Sequence, residues 1–356
     1  MTTGFEQKRY SGTVVIYNLI TDENDPVTAF AVDWIRAFAE ISDEVVVFST
    51  HVGKYTAPSN VRVIELGGGT AKKRLFGLVK LYRSAIYVSN IRGRKIVFHH
   101  MSEKTAFLVG PILRILGIKQ GLWYSHNRKS SILISASKFV NDIFSPTTNS
   151  FPIKTSKIRP VGHGINMSRF QKNSIPILNR TGIVSLGRIS KVKNLEGIID
   201  ALSQVSTPRP SLTLIGPVME EARYVEALST RAKFSEVELT FKAGIPYSQV
   251  PKLISQFSMA FSGSPNTVDK SVLEAAAVGC FVLSENEFVL ELTGMNRVWN
   301  SIGIKVPLEL SSQIELLKPH EFDTNLRELI ATSCREKNDV KNTAIKILTL
   351  LATNEK

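Results

Sequence analysis

The segment Gly182-Ile183-Val184-Ser185-Leu186-Gly187-Arg188-Ile189-Ser190-Lys191-Val192-Lys193-Asn194 carries the most chemistry in the chain. A β-branched run leads through a glycine turn, and Arg188 and Lys193 bracket the start of a helix. A guanidinium fork, an ammonium and free helix N–H groups together suit a diphosphate. A solvated basic turn has the same spacing. The segment Ser262 to Gly279 is a polar loop opening a nearly all-apolar helix, with Glu274 in its first turn. A carboxylate there can accept two hydrogen bonds from a ribose diol, and the positive helix end keeps it ionised. Ser271-x-x-Glu274 also fits a capping box, in which Glu274 only reaches back to the backbone. In Val161-Gly162-His163-Gly164-Ile165-Asn166, two glycines around a histidine allow close backbone approach at a strand end, as a hinge or a cleft wall. Four of the six histidines, His99, His100, His126 and His163, follow strand candidates. Each is a polar loop residue or faces a substrate.

These segments need a frame. In the first half, strand candidates are Thr13–Tyr17, Glu44–Ser49, Arg62–Leu66, Lys95–Phe98, Gly121–Tyr124, Asp142–Phe144 and Ile158–Val161. Helix candidates between them include Thr28–Ala39, Leu75–Ser89, Thr105–Leu116 and Ser131–Lys138. In the second half, strands at Gly182–Leu186, Ser211–Ile215, Glu238–Lys242, Met259–Ser262 and Cys280–Ser284 alternate with helices near Leu195–Val205, Glu220–Ala232, Ser248–Phe257 and Ser271–Val278. Alternation of this kind predicts parallel strands with crossover helices, hence an α/β fold of two doubly wound Rossmann-like domains. A length of 356 residues fits two domains. The polar link around Asn173–Arg180 divides them: 1–175, 176–335, and a last helix over 336–356 that crosses back to the first domain.

Composition removes other classes. Hydrophobic residues make up 43% and charged residues 21%, as in ordinary globular chains. The two cysteines, Cys280 and Cys334, have no partner at metal-ligand spacing and fit a reducing, cytoplasmic setting. Val14-Val15-Ile16 reads as a first strand, not a signal peptide, and no apolar run has spanning length. There is no Gly-x-Gly-x-x-Gly after the first strand, no Walker A sequence and no Asp-x-Asp. Gly67-Gly68-Gly69 reads as a flexible turn. No metal or other cofactor is expected. Charge is uneven: residues 1–165 hold 22 Lys and Arg against 11 Asp and Glu, while the rest hold 22 against 20. A basic half suits an anionic membrane, a phosphorylated substrate or a nucleic acid.

The three segments, in order and spacing, resemble the GT-B glycosyltransferases, specifically the large retaining family numbered four. Gly187-Arg188 with Lys193-Asn194 is similar to its donor-diphosphate motif. Leu273-Glu274-Ala275 through Gly279 is similar to the second half of its Glu-x7-Glu element, and Gly164-Ile165-Asn166 with Phe170 to its Asn-Gly-Val-Asp segment. The resemblance implies two Rossmann-like domains facing across a cleft, with the acceptor on the first and a nucleotide-sugar donor on the second. It implies that Arg188 and Lys193 neutralise the leaving diphosphate and Glu274 holds the donor ribose. His126, in Tyr124-Ser125-His126-Asn127, would contact the donor sugar. Ile245, after Gly244, would lie at the nucleobase, and Thr267, Val268, Asp269 and Lys270 along the sugar and phosphates. His100 and His163 would lie on the acceptor side. Three positions depart from the pattern. Asn266 stands where the first Glu would be, and cannot supply charge to an oxocarbenium. Thr21–Val27 replaces a Gly-Gly loop, and Gly279-Cys280-Phe281-Val282 lacks the usual Pro.

The implied activity is metal-independent, retaining transfer of a hexose-type sugar from a nucleotide-sugar to a glycan, lipid-linked or other membrane-associated acceptor, as in polysaccharide or glycolipid biosynthesis. Leu75, Leu78, Val79, Tyr82 and Ile86 recur at helical spacing, with Lys72, Lys73, Lys80 and Arg83 mainly off that stripe. Such a helix rests on an anionic membrane, or its stripe faces the sheet. The first reading makes the protein cytoplasmic and peripheral at the inner membrane face. The alternatives are a GT-B-shaped epimerase and a catalytically weak protein that binds a sugar nucleotide or scaffolds a complex. Nucleic-acid binding has no supporting motif.

Overall fold

The β-branched runs become strands with both faces covered. A computed structural model describes residues 9–25, 28–67, 71–126, 128–171, 179–306 and 309–353. The first unit contains β1 (Tyr10–Thr21), α1 (Phe30–Ile41), β2 (Ser42–Val52), β3 (Val61–Glu65), α2 (Ala71–Asn90) and β4 (Lys95–His100). It continues through α3 (Glu103–Leu108), α4 (Gly110–Ile115), β5 (Lys119–Trp123), α5 (Ser131–Phe139), β6 (Asp142–Ser145) and β7 (Ile158–Pro160). Its seven strands are all parallel, in the order β3-β2-β1-β4-β5-β6-β7. Side chains alternate across a strand, so a sheet sandwiched by helices needs apolar residues at every position. In β1, Val14 and Ile16 enter one core with Trp34 and Phe38 of α1, while Val15 and Tyr17 enter the opposite core with Leu81, Ala85 and Val88 of α2.

The second unit holds α6 (Ser168–Gln171), β8 (Ile183–Leu186), α7 (Leu195–Ser203), β9 (Leu212–Ile215), α8 (Ala222–Phe234), β10 (Leu239–Lys242), α9 (Val250–Ile254), β11 (Met259–Phe261), α10 (Lys270–Ala277) and β12 (Phe281–Leu283). Then come α11 (Glu287–Thr293), α12 (Met295–Ser301), α13 (Leu310–Leu317) and α14 (Thr324–Asn338). Its sheet is also parallel, ordered β10-β9-β8-β11-β12. The units comprise Met1–Gly164 with Val340–Lys356, and Ile165–Asp339. The last helix, α15 (Val340–Thr353), belongs to the first unit. There it lays Ala344, Ile347, Leu348 and Leu351 on the α1 side of the sheet. Lys341 pairs with Glu40 of α1 at 3.1 Å. Most of the expected link at Asn173–Arg180 lies outside the described residues, as do Gly68, Gly69, Pro26, Val27 and Asn127.

Two expectations change. The helix read over Thr105–Leu116 is two helices, broken at Val109. Pro111 has no N–H to give to the carbonyl of Phe107, so the hydrogen-bond ladder of α3 stops and α4 starts with the proline in its first turn. His99 and His100 are not loop residues beyond a strand. They are the last residues of β4, and both are buried.

Candidate functional site

In an open α/β sheet, ligands bind at the carboxyl ends of strands where the chain reverses its direction of travel across the sheet. In the second unit that switch lies between β8 and β11. The loops after these strands hold the sequence-predicted residues. Gly187 follows β8 with φ +143°, and a Cβ there would meet nothing within 4 Å. The neighbouring Gly216, after β9, is the reverse case: a Cβ would sit 1.9 Å from the Gly187 carbonyl oxygen. Only glycine lets these two loops run against each other. Gly263, after β11, closes the other side, since its Cβ would lie 2.2 Å from the Lys193 carbonyl oxygen. Beyond the turn, Asn194 takes φ +47° as α7 begins.

The two cations of the first motif differ. Arg188 is exposed, with no ion pair among the described residues. Lys193 is mostly buried, and its ammonium donates to Asp269 Oδ1 at 2.5 Å and Ser264 Oγ at 3.3 Å. Asp269 Oδ2 accepts the hydroxyls of Ser262 at 3.2 Å and Ser264 at 3.0 Å. Lys193, Asp269 and two serines thus form a closed polar set joining the loops after β8 and β11.

Glu274 is 3% exposed. Its Oε1 accepts Lys270 Nζ at 2.9 Å and the Tyr247 hydroxyl at 2.9 Å. Tyr247 lies under two cations, with Lys270 Nζ 3.9 Å and the Arg169 guanidinium 5.4 Å from its ring centroid. The capping-box reading of Ser271 and Glu274 does not hold. α10 begins at Lys270, so Ser271 is already inside the helix, and its Oγ donates to the Leu186 carbonyl at 2.6 Å. The helix is pinned to the end of β8, and Glu274 faces side chains instead of backbone N–H groups. Among the remaining predicted residues, Asn266 is exposed, Thr267 half-buried and Val268 buried. Asn286 Nδ2 holds their loop through the carbonyls of Ser264 at 3.1 Å and Thr267 at 3.4 Å. Ile245, after β10, is half-buried against the core of this unit.

The structure therefore gathers Gly187, Lys193, Asp269, Lys270 and Glu274 on adjoining strand ends, and adds Tyr247, Ser262, Ser264 and Asn286. No spacing rule pointed to these four. Tyr247 stands two residues after Ile245, and only the packing of that loop brings its hydroxyl to Glu274.

His100, His126 and His163 all lie in the first unit. That sheet switches between β1 and β4, where His100 ends β4. Its ring is enclosed by Phe30, Trp34 and Phe98, with centroids 5.7, 5.1 and 6.0 Å away. Its Nε2 is buried and has no hydrogen-bond partner among the described residues. Burial, and then the nearby charge of His163, lower its pKa to about 3. The adjacent His99 stacks on Tyr17 and bonds Thr105 Oγ1 at 2.9 Å and Gln120 Oε1 at 3.3 Å. Burial lowers its pKa to about 4. His163 is half-buried and meets Trp123 edge-on at 6.1 Å. The following Gly164, at φ +72°, leaves no room for a Cβ, which would lie 2.1 Å from Trp34. His126 is exposed beside Tyr124 at 5.7 Å. Among the described residues, no three His, Cys, Asp or Glu side chains are grouped to hold a metal ion. No helix among them is long and apolar enough to cross a membrane.

No family model matches the sequence, and no curated protein matches it. Solved structures do match. Anabaena HepE in complex with UDP and glucose superposes with a TM-score of 0.67 at 14% identity, covering 96% of this chain and 100% of that one. A glycosyltransferase from Rickettsia africae gives 0.67 at 12% identity, covering 98% and 100%. The lipopolysaccharide outer core galactosyltransferase WaaB, without ligand, gives 0.61 at 11% identity, covering 96% and 99%. The chain thus has the GT-B fold of these glycosyltransferases, with one parallel-sheet α/β unit of seven strands and one of five.

Proposed function

We propose that this protein is a retaining glycosyltransferase that moves a sugar from a nucleotide-sugar to a glycan or lipid-linked acceptor. The observation that carries this reading is the buried Glu274, set by Lys270 and Tyr247 on the same strand ends as Arg188 and Lys193. The complexes of HepE with UDP, glucose and UDP-glucose support a nucleotide-sugar donor. Glu274 would hold the ribose diol through its carboxylate, whose Oε1 already accepts Lys270 and Tyr247. Arg188 and Lys193 would neutralise the diphosphate as its bond to the anomeric carbon breaks. The acceptor oxygen would bond to that carbon, and its proton would pass to the leaving phosphate on the same face. No side chain has to serve as base, and the two cations do the work a metal would otherwise do. Ile245 and Gly244 would border the base. His126 and His163 would lie on the sugar and acceptor side, whereas His100, enclosed by Phe30, Trp34 and Phe98, would act only from within the core.

A second reading is a protein that binds a sugar nucleotide without turning it over. It rests on Asn266 and on the Asp269 carboxylate that already occupies Lys193. A thermal-shift screen against UDP, GDP, ADP and their sugar conjugates tests the site, because ligands of the native state raise the midpoint. A shift with one nucleotide, lost in Arg188→Ala and Glu274→Ala, supports a donor site. No shift with any of them refutes it. Hydrolysis or transfer of the selected donor then separates the enzyme from the binder.

A further inference from the structure

The loop from β11 to α10, residues 262–269, is fastened at both ends and in the middle. Ser262 gives its N–H to the Leu283 carbonyl at 3.0 Å, and its own carbonyl accepts the Ser284 hydroxyl at 2.8 Å. Val268 is buried in the core of this unit. Asp269 is tied to Lys193, Ser262 and Ser264. Between these anchors, Pro265 and Asn266 form an exposed tip. The carbonyls of Ser264 and Thr267 flank that tip, and both converge on one group, the Nδ2 of Asn286, at 3.1 and 3.4 Å.

Asn286 is buried, just past β12. Its Oδ1 accepts the Phe288 N–H at 3.0 Å and caps α11, which leaves Nδ2 with its two hydrogens for the two carbonyls. Its own N–H donates to Ser284 Oγ at 3.2 Å. Ser284 is held in turn by the buried Gln313 of α13, which accepts its N–H at 3.1 Å and donates to its carbonyl at 3.0 Å. A helix cap needs only the oxygen of Asn286; the two amide hydrogens serve the tip. Pro265 fixes its own φ, so the clamped turn has little freedom left to lose when a ligand meets Asn266.

We propose that Asn286 is a positioning residue: by clamping both sides of the tip, it sets Asn266 to read the sugar of the donor. The order of the strands gives the direction. Ile245 follows β10, Arg188 and Lys193 follow β8, and the tip follows β11 and is held from β12. A nucleotide with its base at β10 and its diphosphate at β8 would extend its sugar toward the tip. Asn266 offers an amide oxygen and two N–H donors without charge, so it can accept from one sugar hydroxyl and donate to another. The assignment rests on the nucleotide-sugar reading. Neither Asn286 nor Asn266, however, belongs to the set of Arg188, Lys193 and Glu274 that would hold the nucleotide.

The test is titration calorimetry of the full chain with UDP, GDP and ADP, each beside its glucose conjugate. Asn286→Asp keeps the capping oxygen but turns a carboxylate oxygen to both carbonyls. Asn286→Ser keeps a cap and removes the donors. Asn266→Ala changes only the exposed tip. For the conjugate that the wild type binds, Asn286→Asp and Asn266→Ala should each weaken affinity by about tenfold, and Asn286→Ser by about threefold. The bare nucleotide should change by less than about twofold, and adding Asn266→Ala to Asn286→Asp should cost little more, because both act through one contact. Should Asn286→Asp melt early, Asn286→Ser and Asn266→Ala carry the comparison. Equal weakening of nucleotide and conjugate, conjugate binding untouched by the variants, or additive losses in the double variant overturn the proposal and leave the donor site standing. Binding of none of these ligands by the wild type overturns the donor site itself, and the proposal with it.

Discussion

Replacing Asp269 by asparagine should move stability and ligand affinity in opposite directions. Its carboxylate holds the Lys193 ammonium at 2.5 Å, with the two side chains 19% and 16% exposed. Asparagine keeps an oxygen for Ser262 and Ser264 but leaves Lys193 without a counter-charge. A mostly buried cation losing its partner costs about 1–2 kcal/mol here, less than a fully enclosed pair because some water reaches it. The melting midpoint should fall by about 2–6 °C. A diphosphate binding at Lys193 meets the same carboxylate from the other side. A phosphate charge about 5 Å from it is repelled by about 2–3 kcal/mol at an effective dielectric of 20–40. Removing the carboxylate should therefore tighten a nucleoside diphosphate by about 30–140-fold, with 1.4 kcal/mol per tenfold. The corresponding monophosphate should gain less. Titration calorimetry of both nucleotides against wild type and Asp269→Asn, beside thermal melts, reads all of these. A lower midpoint with unchanged or weaker diphosphate binding would refute the reasoning, and would make Asp269 a residue that only organises Lys193.

Arg188→Ala should lower turnover by about 100-fold or more, as loss of a main contact to developing negative charge does, and steady-state kinetics on the selected donor would measure it. Glu274→Gln should weaken nucleoside binding by about tenfold, because a charge-assisted hydrogen bond becomes a neutral one, while Tyr247→Phe should lose less; calorimetry checks the order. Stability should fall on acidification below the ordinary histidine pKa. His99 and His100 titrate at about 4 and about 3 when folded, below the unfolded value, so the unfolded chain binds protons first. Their contribution is complete above about pH 6.5 and is lost toward pH 3, at about 2 kcal/mol per histidine by pH 5. Urea unfolding at pH 8 and pH 5 should show this loss, and His100→Phe should remove about half of it.

The strands were legible because parallel strands buried on both faces read as unbroken β-branched runs, as in Val14-Val15-Ile16 and Val45-Val46-Val47. Helix faces were less so. In α2 two apolar stripes share one helix, and periodicity does not say which meets the sheet. The side that wins contains Gly77, Ser84 and Ala85, small residues that let the backbone approach closely, whereas the larger Phe76, Tyr82 and Ile86 stay outside. Local pattern also misplaced Glu274. Ser271-x-x-Glu274 satisfies the capping rule, but α10 starts one residue earlier and Ser271 is taken by the Leu186 carbonyl. A contact between residues 85 apart in sequence outcompetes one between neighbours. The site's electrostatics were hidden for the same reason. Asp269 and Lys270 are adjacent in sequence and look self-cancelling, yet Asp269 meets the distant Lys193, while Lys270 meets Glu274 one turn on in the same helix. Two of the site's three cations are thereby compensated before any ligand arrives. Arg188 carries the uncompensated charge, so diphosphate affinity should depend on Arg188 more than on Lys193. The positive surplus of the chain lies mainly outside this site, in the first unit, where α2 presents it beside an apolar face.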